Sequence, residues 1–200
     1  MTRNRLSTAF IVAAGLLLPT AAVAQTYDFG VDSKFVNIAF ESRMDVEDIL
    51  GVSHSITGTA SLAPGAGSFD FKVPVDSLRT GIDLRDEHLR SEYWLDAKKY
   101  PAIAFKGSRI KSLGGDRYEV SGTFSLHGVG KPLTVTVEAT RIGRELAVKA
   151  GMKEANWLRV RAEFEVKLSD FGVAIPDMAA AKVSDSWKVR LSLFAMETAK

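Results

Sequence analysis

Apolar and polar residues alternate with a period of two along most of the chain. In the segment SHSITGTASL, residues 53–62, one face carries Ile56, Ala60 and Leu62 while the other carries hydroxyl side chains. This period is typical of half-buried β-strands, so it predicts a mainly β protein. Similar apolar faces recur at Val36, Ile38 and Phe40; Phe69, Phe71, Val73 and Val75; Ile103 and Phe105; Tyr118, Val120 and Phe124; Leu133, Val135 and Val137; Val160, Ala162, Phe164 and Val166; and Trp187, Val189, Leu191 and Leu193.

Turn sequences join these strands into hairpins. APGAG (63–67) and LGGD (113–116) each lie between two alternating segments, and HGVGKP (127–132) separates two more. Glycine and proline supply the backbone conformations that such turns require. We count about eight strands on this pattern, with ELAVKA (145–150) as a candidate ninth. Hairpin connections and one-sided apolar faces predict an antiparallel sheet that closes into a barrel, because closure removes exposed edges.

One stretch breaks the period of two. LRDEHLRSEYWLDAKKYP (84–101) contains four basic and four acidic residues. Asp83 is expected to cap a helix that Pro101 prevents from continuing, so we predict one helical insertion over about 83–98. Asp86 and Arg90 have the i,i+4 spacing of a local ion pair. Apolar residues fall on both sides of this helix, which suits a segment that lies across the barrel.

The first residues have the pattern of an export signal. Arg3 and Arg5 precede a short apolar run, and Ala22-Val23-Ala24 supplies the small residues that a signal peptidase accepts. The run is about half as long as a membrane-spanning helix. We therefore expect residues 1–24 to be a signal peptide cleaved after Ala24, residues 25–200 to form a single β-barrel domain, and the protein to work in the bacterial periplasm.

The amino-acid composition argues against several classes of function. The formal net charge of +2 comes from Arg3 and Arg5 in the predicted leader, so the remaining chain is formally neutral. A neutral chain gives no electrostatic reason to expect nucleic-acid binding. The chain has no cysteine, which excludes disulfides, thiol catalysis and cysteine-ligated zinc.

The histidines give little support to catalysis or metal binding. His54, His88 and His127 fall in separate elements without the spacing of a metal site. His88 has acidic neighbours, but no strained nucleophile turn or orienting carboxylate accompanies it in the sequence. We expect no catalytic residue, no metal and no cofactor. A hydrolase-like enzyme that uses His88 on a lipid-like substrate is the alternative hypothesis.

Three blocks of sequence resemble a known family. They are RDEHLRSEYWLDAKKYPAIAF (85–105), VSGTFSLHGVGKPLTVTVEA (120–139) and FEVKLSDFGV (164–173), and their order and spacing are similar to those of the YceI-like family of exported bacterial proteins. The resemblance implies an extended lipocalin-like barrel whose internal cavity binds a polyisoprenoid or similar long-chain lipid, without catalysis. Gly130 stands where the family usually has Thr. Residues 43–57 match less well, and a difference there would alter ligand choice if they line a mouth of the barrel.

A lipid cavity of this kind should be lined by aliphatic and aromatic side chains. Alternation does not distinguish a hollow barrel from a filled one, so ordinary core packing is the alternative for each candidate. A polar head group near a barrel mouth is predicted to contact Arg85, Arg90 or Lys131. The predicted lining residues are Phe69, Phe71, Leu89, Trp94, Phe105, Phe124, Val135 and Phe164.

The leading functional hypothesis is therefore a periplasmic binding or carrier protein for a long-chain apolar lipid, of the polyisoprenoid or isoprenoid quinone precursor type. A non-lipid interaction protein with a packed barrel is a further alternative. A membrane redox protein and a second copy of the chain, forming a homodimer, are the partner hypotheses.

Overall fold

The structure is a computed structural model that describes residues 24–63 and 66–198. The predicted leader, apart from Ala24, and the Pro64-Gly65 part of the predicted APGAG turn lie outside these residues. Two α-helices are described, α1 (Asp83–Arg90) and α2 (Arg144–Lys149), and neither is long and apolar enough to cross a membrane. The described strands are β1 (Gln25–Phe29), β2 (Asn37–Arg43), β3 (Asp48–Ser53), β4 (Thr57–Ala63), β5 (Ala66–Pro74), β6 (Ala102–Gly114), β7 (Arg117–Leu126), β8 (Val129–Ile142), β9 (Trp157–Lys167) and β10 (Ser186–Thr198).

The strands form one antiparallel sheet that closes on itself. Its order is β1-β4-β5-β6-β7-β8-β9-β10-β2-β3, and β1 also pairs with β10. Along β10, β1 and β2 lie end to end, with Phe29 opposite Ala195 and Asn37 opposite Ser192. β4 and β3 follow each other in the same way along β1 and β2. Each of these pairs occupies one strand position, so the prediction of a closed barrel of about eight strands is confirmed.

Two predictions about individual strands are wrong. Residues 53–62 do not form one strand, because β3 ends at Ser53 and β4 begins at Thr57. At the break, the Ser55 backbone N–H donates to Ser53 Oγ at 3.1 Å, so a side chain takes the place of a strand partner.

The ELAVKA segment is not a ninth strand: its residues 145–149 belong to α2, and Ala150 follows the end of that helix. Within it Ala147 is buried, while Leu146 and Val148 are exposed. Ala147 belongs to a small core cluster with Met152 and Trp157, separate from the two larger clusters of the molecule. Short apolar runs do not distinguish a strand from a helical turn by their period.

The helical insertion is shorter than predicted. α1 ends at Arg90, and the extended Ile82, not Asp83, occupies the cap position without a side-chain cap bond. Ser91 terminates the helix: its backbone is extended and its Oγ donates to the His88 carbonyl at 2.7 Å. Asp96 then adopts a left-handed conformation with φ of 44°, which turns the chain back.

Asp86 is the buried acidic residue of α1. Its Oδ1 accepts hydrogen bonds from Thr80 N at 2.7 Å and Thr80 Oγ1 at 2.6 Å, and no ion pair with Arg90 forms. Burial by itself would raise the pKa of Asp86, but the two Thr80 bonds and the charges of Arg90 and Arg79 outweigh it and lower the pKa. The carboxylate therefore ties the start of α1 to the segment before it.

The two ends of the barrel differ. Residues 75–101 and 168–185 are long connections at the same end, which we call the capped end. Their apolar side chains pack with strand residues in one core cluster that includes Leu89, Leu95 and Trp187. The opposite end, which we call the mouth, is formed by the first residues of β1, the β4–β5 and β6–β7 turns and the last residues of β8. The β8–β9 connection, residues 143–156 with α2, lies at the same end.

Candidate functional site

The barrel is hollow. A cavity of about 940 Å³ runs from the capped end to the mouth and is lined by side chains from strands all around the ring. Its size lies within the range that ligand-binding pockets occupy. At the capped end, buried leucines such as Leu78, Leu95 and Leu168 close it. At the mouth, the lining residues Ser112, Asp116 and Arg141 are exposed to solvent, so the cavity opens there.

Close packing of aromatic rings against the sheet helps to keep the interior open. The rings of Phe69 and Phe105 lie 4.8 Å apart, and Phe69 also packs near two glycines of the neighbouring strands. A Cβ atom at Gly107 would lie 2.7 Å from the Phe69 ring, and one at Gly122 would lie 3.0 Å from it. Both glycines thus leave room for the ring to lie close to the strands.

Six of the eight predicted lining residues lie on the cavity wall. They are Phe69, Phe71, Phe105, Phe124, Val135 and Phe164. Period-two alternation places these side chains on the inner face, as the sequence predicts. Their contact with a ligand stays a prediction.

The two predicted residues of the insertion do not line the cavity. Leu89 and Trp94 line a separate surface groove of about 350 Å³ at the capped end, together with Ile82 and Val183. Trp94 does not reach the cavity because α1 ends early, at Arg90. The chain turns after Ser91, and Leu95 lines the cavity instead.

None of the predicted head-group residues lines the cavity either. Arg85 lies on the surface groove and pairs with Glu47, whose Oε1 is 2.8 Å from Arg85 Nη1. Lys131 Nζ lies 3.0 Å from Asp170 Oδ1. Arg90 belongs to α1 at the capped end. All three residues lie at the end of the barrel opposite the mouth.

The polar side chains of the cavity wall all lie at the mouth. Among the described residues they are Gln25, Ser112, Asp116, Thr140 and Arg141, and the other described lining residues are aliphatic or aromatic. Arg141 Nη2 donates to Gln25 Oε1 at 2.8 Å, and Thr140 Oγ1 donates to Asp116 Oδ2 at 3.0 Å. Sequence reasoning missed this group. A signal was available for Arg141, because it is the next position on the inward face of β8 after the apolar residues Val137 and Ala139.

A buried tyrosine supports this polar group. The Tyr27 hydroxyl donates to Gln25 Oε1 at 3.3 Å, so the amide oxygen of Gln25 joins Tyr27 to Arg141. Burial is the main reason that the pKa of Tyr27 is raised; Glu197 adds to the effect and Arg141 opposes it. The phenol therefore stays protonated at neutral pH and acts as a donor.

The histidines lie apart from the cavity and from one another. His54 Nδ1 is 2.7 Å from the Val36 carbonyl, and the His127 ring packs edge-on against Tyr100. His88 is exposed on α1, and the nearby Ser91 hydroxyl bonds to its backbone carbonyl. Residues 24–63 and 66–198 contain no group of three or more His, Cys, Asp or Glu side chains that could hold a metal ion.

A closed antiparallel barrel around an apolar cavity is a lipocalin-like architecture. Residues 29–195 match the family model described as the YceI-like domain. The chain therefore belongs to the YceI-like family, and the family resemblance seen in the sequence is confirmed.

Curated relatives align with most of the chain. A UPF0312 protein of Azotobacter vinelandii is 28% identical over 173 residues, which span 81% of this chain and 84% of the relative. A UPF0312 protein of Shewanella denitrificans is 29% identical over 174 residues, spanning 82% and 85% of the two chains.

Solved structures share the fold. BcnA of Burkholderia cenocepacia is similar with a TM-score of 0.70 and 22% identity, over 83% of this chain and 99% of BcnA. A domain from Saccharophagus degradans, described as polyisoprenoid binding, gives a TM-score of 0.62 at 17% identity, over 88% of this chain and 99% of that domain. At these identities the similarity concerns the fold.

Proposed function

We propose that this protein binds a long-chain apolar lipid, of the polyisoprenoid or isoprenoid quinone precursor type, inside its barrel and carries it in the periplasm. The observation that carries the proposal is the cavity of about 940 Å³, apolar along its length and open at one end. A flexible hydrocarbon chain gains free energy in proportion to the apolar area that it removes from water, so an elongated apolar interior favours such a ligand.

The comparisons support this ligand class. The Saccharophagus degradans domain, which shares the fold, is described as a polyisoprenoid binding domain. Binding without catalysis is favoured by the chemistry of the cavity wall. Within the part of the chain that the structure describes, no histidine lines the cavity, and the charged lining residues, Asp116 and Arg141, lie at the mouth. His88, the candidate base for the enzyme hypothesis, lies on the surface groove at the capped end.

The test is to fill the cavity. Ala162 lines the cavity, so the larger side chain of Ala162→Phe would occupy space that the lipid needs. The substitution is expected to lower the affinity for a long-chain prenol by at least about tenfold, or about 1.4 kcal/mol. Thr136→Phe on the outer surface of β8 is the matched control and should leave affinity unchanged. Organic extraction and mass spectrometry of natively purified protein should also find a bound lipid. Repeated absence of lipid, with no prenol binding by the wild type, would contradict the proposal.

Export and partners are proposed on the sequence alone. The basic and apolar start followed by Ala22-Val23-Ala24 supports cleavage and release into the periplasm. Intact mass of the secreted protein should correspond to a chain that begins at Gln25. Cross-linking in cells and light scattering of purified protein would test the membrane redox partner and the homodimer.

A further inference from the structure

The mouth of the cavity has a chemistry that restricts the polar end of the ligand. Its lining residues Asp116 and Arg141 carry one negative and one positive charge, while Gln25, Ser112 and Thr140 are uncharged. The side chains of the described cavity wall are therefore electrically balanced at the one place where they are polar. Cleavage after Ala24 would add one formal positive charge there, the α-amino group of Gln25.

A diphosphate head group fits this mouth poorly. Such a group carries at least two negative charges, and anion sites usually supply several cations or charge-assisted donors. Among residues 24–63 and 66–198, the side chains of the cavity wall provide one cation, Arg141, which is already hydrogen bonded to Gln25. The Asp116 carboxylate lies on the same rim, where it accepts a hydrogen bond from Thr140, the residue before Arg141. Bringing a multiply charged anion next to a carboxylate in a partly desolvated site is unfavourable.

An uncharged head group fits the same residues well. A guanidinium has five N–H donors, of which Gln25 uses one, so Arg141 retains donors for a carbonyl or hydroxyl oxygen. The Ser112 oxygen accepts from Gly114 N at 3.3 Å, which leaves its O–H proton for a ligand. Asp116 accepts from Thr140 and has further lone pairs for a ligand hydroxyl.

We propose that the mouth is a head-group subsite, formed by Gln25, Ser112, Asp116, Thr140 and Arg141, that selects long-chain isoprenoids with an uncharged oxygen-bearing head over prenyl diphosphates. The inference rests on the proposed function, because it assumes that the chain of the ligand lies in the cavity. It places the head at the end opposite Arg85 and Lys131.

The experiment compares three probes of equal prenyl chain length: a prenyl quinone, a prenol and a prenyl diphosphate. Delipidated wild type should bind the quinone and the prenol at least about tenfold more tightly than the diphosphate. Asp116→Asn removes the repulsion and should tighten diphosphate binding severalfold. Arg141→Gln should weaken quinone binding about tenfold, the usual effect of losing a charged hydrogen-bond donor.

Arg117→Gln is the matched control, because Arg117 is an exposed cation next to the same turn that does not line the cavity. It should leave the preference among the three probes unchanged. A diphosphate that binds wild type as tightly as the quinone, or mouth variants that alter all three affinities equally, would overturn the subsite. Failure of all three probes to bind would instead overturn the proposed function. Circular dichroism and thermal melting establish that each variant is folded.

Discussion

The two ends of the barrel differ in the polarity of their side chains: the capped end is apolar and the rim of the mouth is polar. At the capped end, residues 75–101 and 168–185 bring apolar side chains over the ring, and Phe40 and Trp187 stack with centroids 5.2 Å apart. At the mouth, short turns join β4 to β5 and β6 to β7, and the rim side chains of Ser112, Asp116 and Arg141 are exposed. The longer β8–β9 connection at this end, residues 143–156, contains α2, which packs in a small separate cluster with Trp157. The difference follows from where the long connections pack: those at the capped end share one core cluster with the strands of the barrel, whereas no residue of 143–156 lines the cavity. The capped end thus contributes stability, and the mouth contributes access.

The strongest test of this division is removal of Trp187, which is buried at the capped end and donates its indole N–H to the Ser184 carbonyl at 2.7 Å. Trp187→Ala is expected to reduce the free energy of unfolding by about 3–5 kcal/mol, because it leaves a cavity and an unpaired carbonyl. Urea denaturation measures the change. Ile110→Ala at the mouth, where the side chain is only half buried, should cost less than about 2 kcal/mol. Equal losses would remove the distinction between the ends.

Asp86 offers a smaller test with a defined pH dependence. Asp86→Ala removes the acceptor of two Thr80 donors and should cost about 1–3 kcal/mol at neutral pH. Because the folded pKa of Asp86 is lowered, its stabilisation is complete above the ordinary aspartate pKa of 3.8 and is lost as the pH falls below that value toward the lowered folded pKa. The difference in unfolding free energy between wild type and variant should therefore shrink in acid. Glu87→Ala, an exposed change on the same helix, is the control. A difference that stays constant with pH would rule out this role of the carboxylate.

The smallest effects are expected from the cations of the capped end. Lys131→Gln and Arg85→Gln each break a partly exposed ion pair and should change stability by about 0–1 kcal/mol. Affinity for prenol or prenyl diphosphate should remain within about twofold of wild type. Calorimetric titration of each variant gives the comparison. A tenfold loss restricted to the diphosphate would place the head group at the capped end and reverse the assignment of the two ends.

The barrel and six of its lining residues follow from the sequence because both depend on local information. A period of two fixes which side chains share a face, so Phe69 and Phe124 could be placed on the inner wall without knowledge of their neighbours. The break at Ser53 and the short α2 were missed because side-chain hydrogen bonding and packing outside the main core decided them.

The positions of Trp94 and Arg141 depend on long-range structure. Trp94 follows a helix end that is set by Ser91 and by the turn at Asp96, whereas the sequence indicated a helix that continues until Pro101 stops it. Arg141 became a cavity residue because the barrel opens at the end that lacks the insertion.

Pairing between β1 and β10 also governs when the barrel can form. The ring closes through contacts such as Thr26 with Thr198, which are separated by most of the polypeptide. A nascent chain cannot complete these pairs until its last strand has been synthesised, and contacts of such long range slow folding. Until then the apolar faces that will surround the cavity remain accessible to chaperones and to other nascent chains. Deletion of residues 186–198 would therefore leave two unpaired sheet edges and a chain prone to aggregation, since β10 is the strand that joins both ends of the sheet.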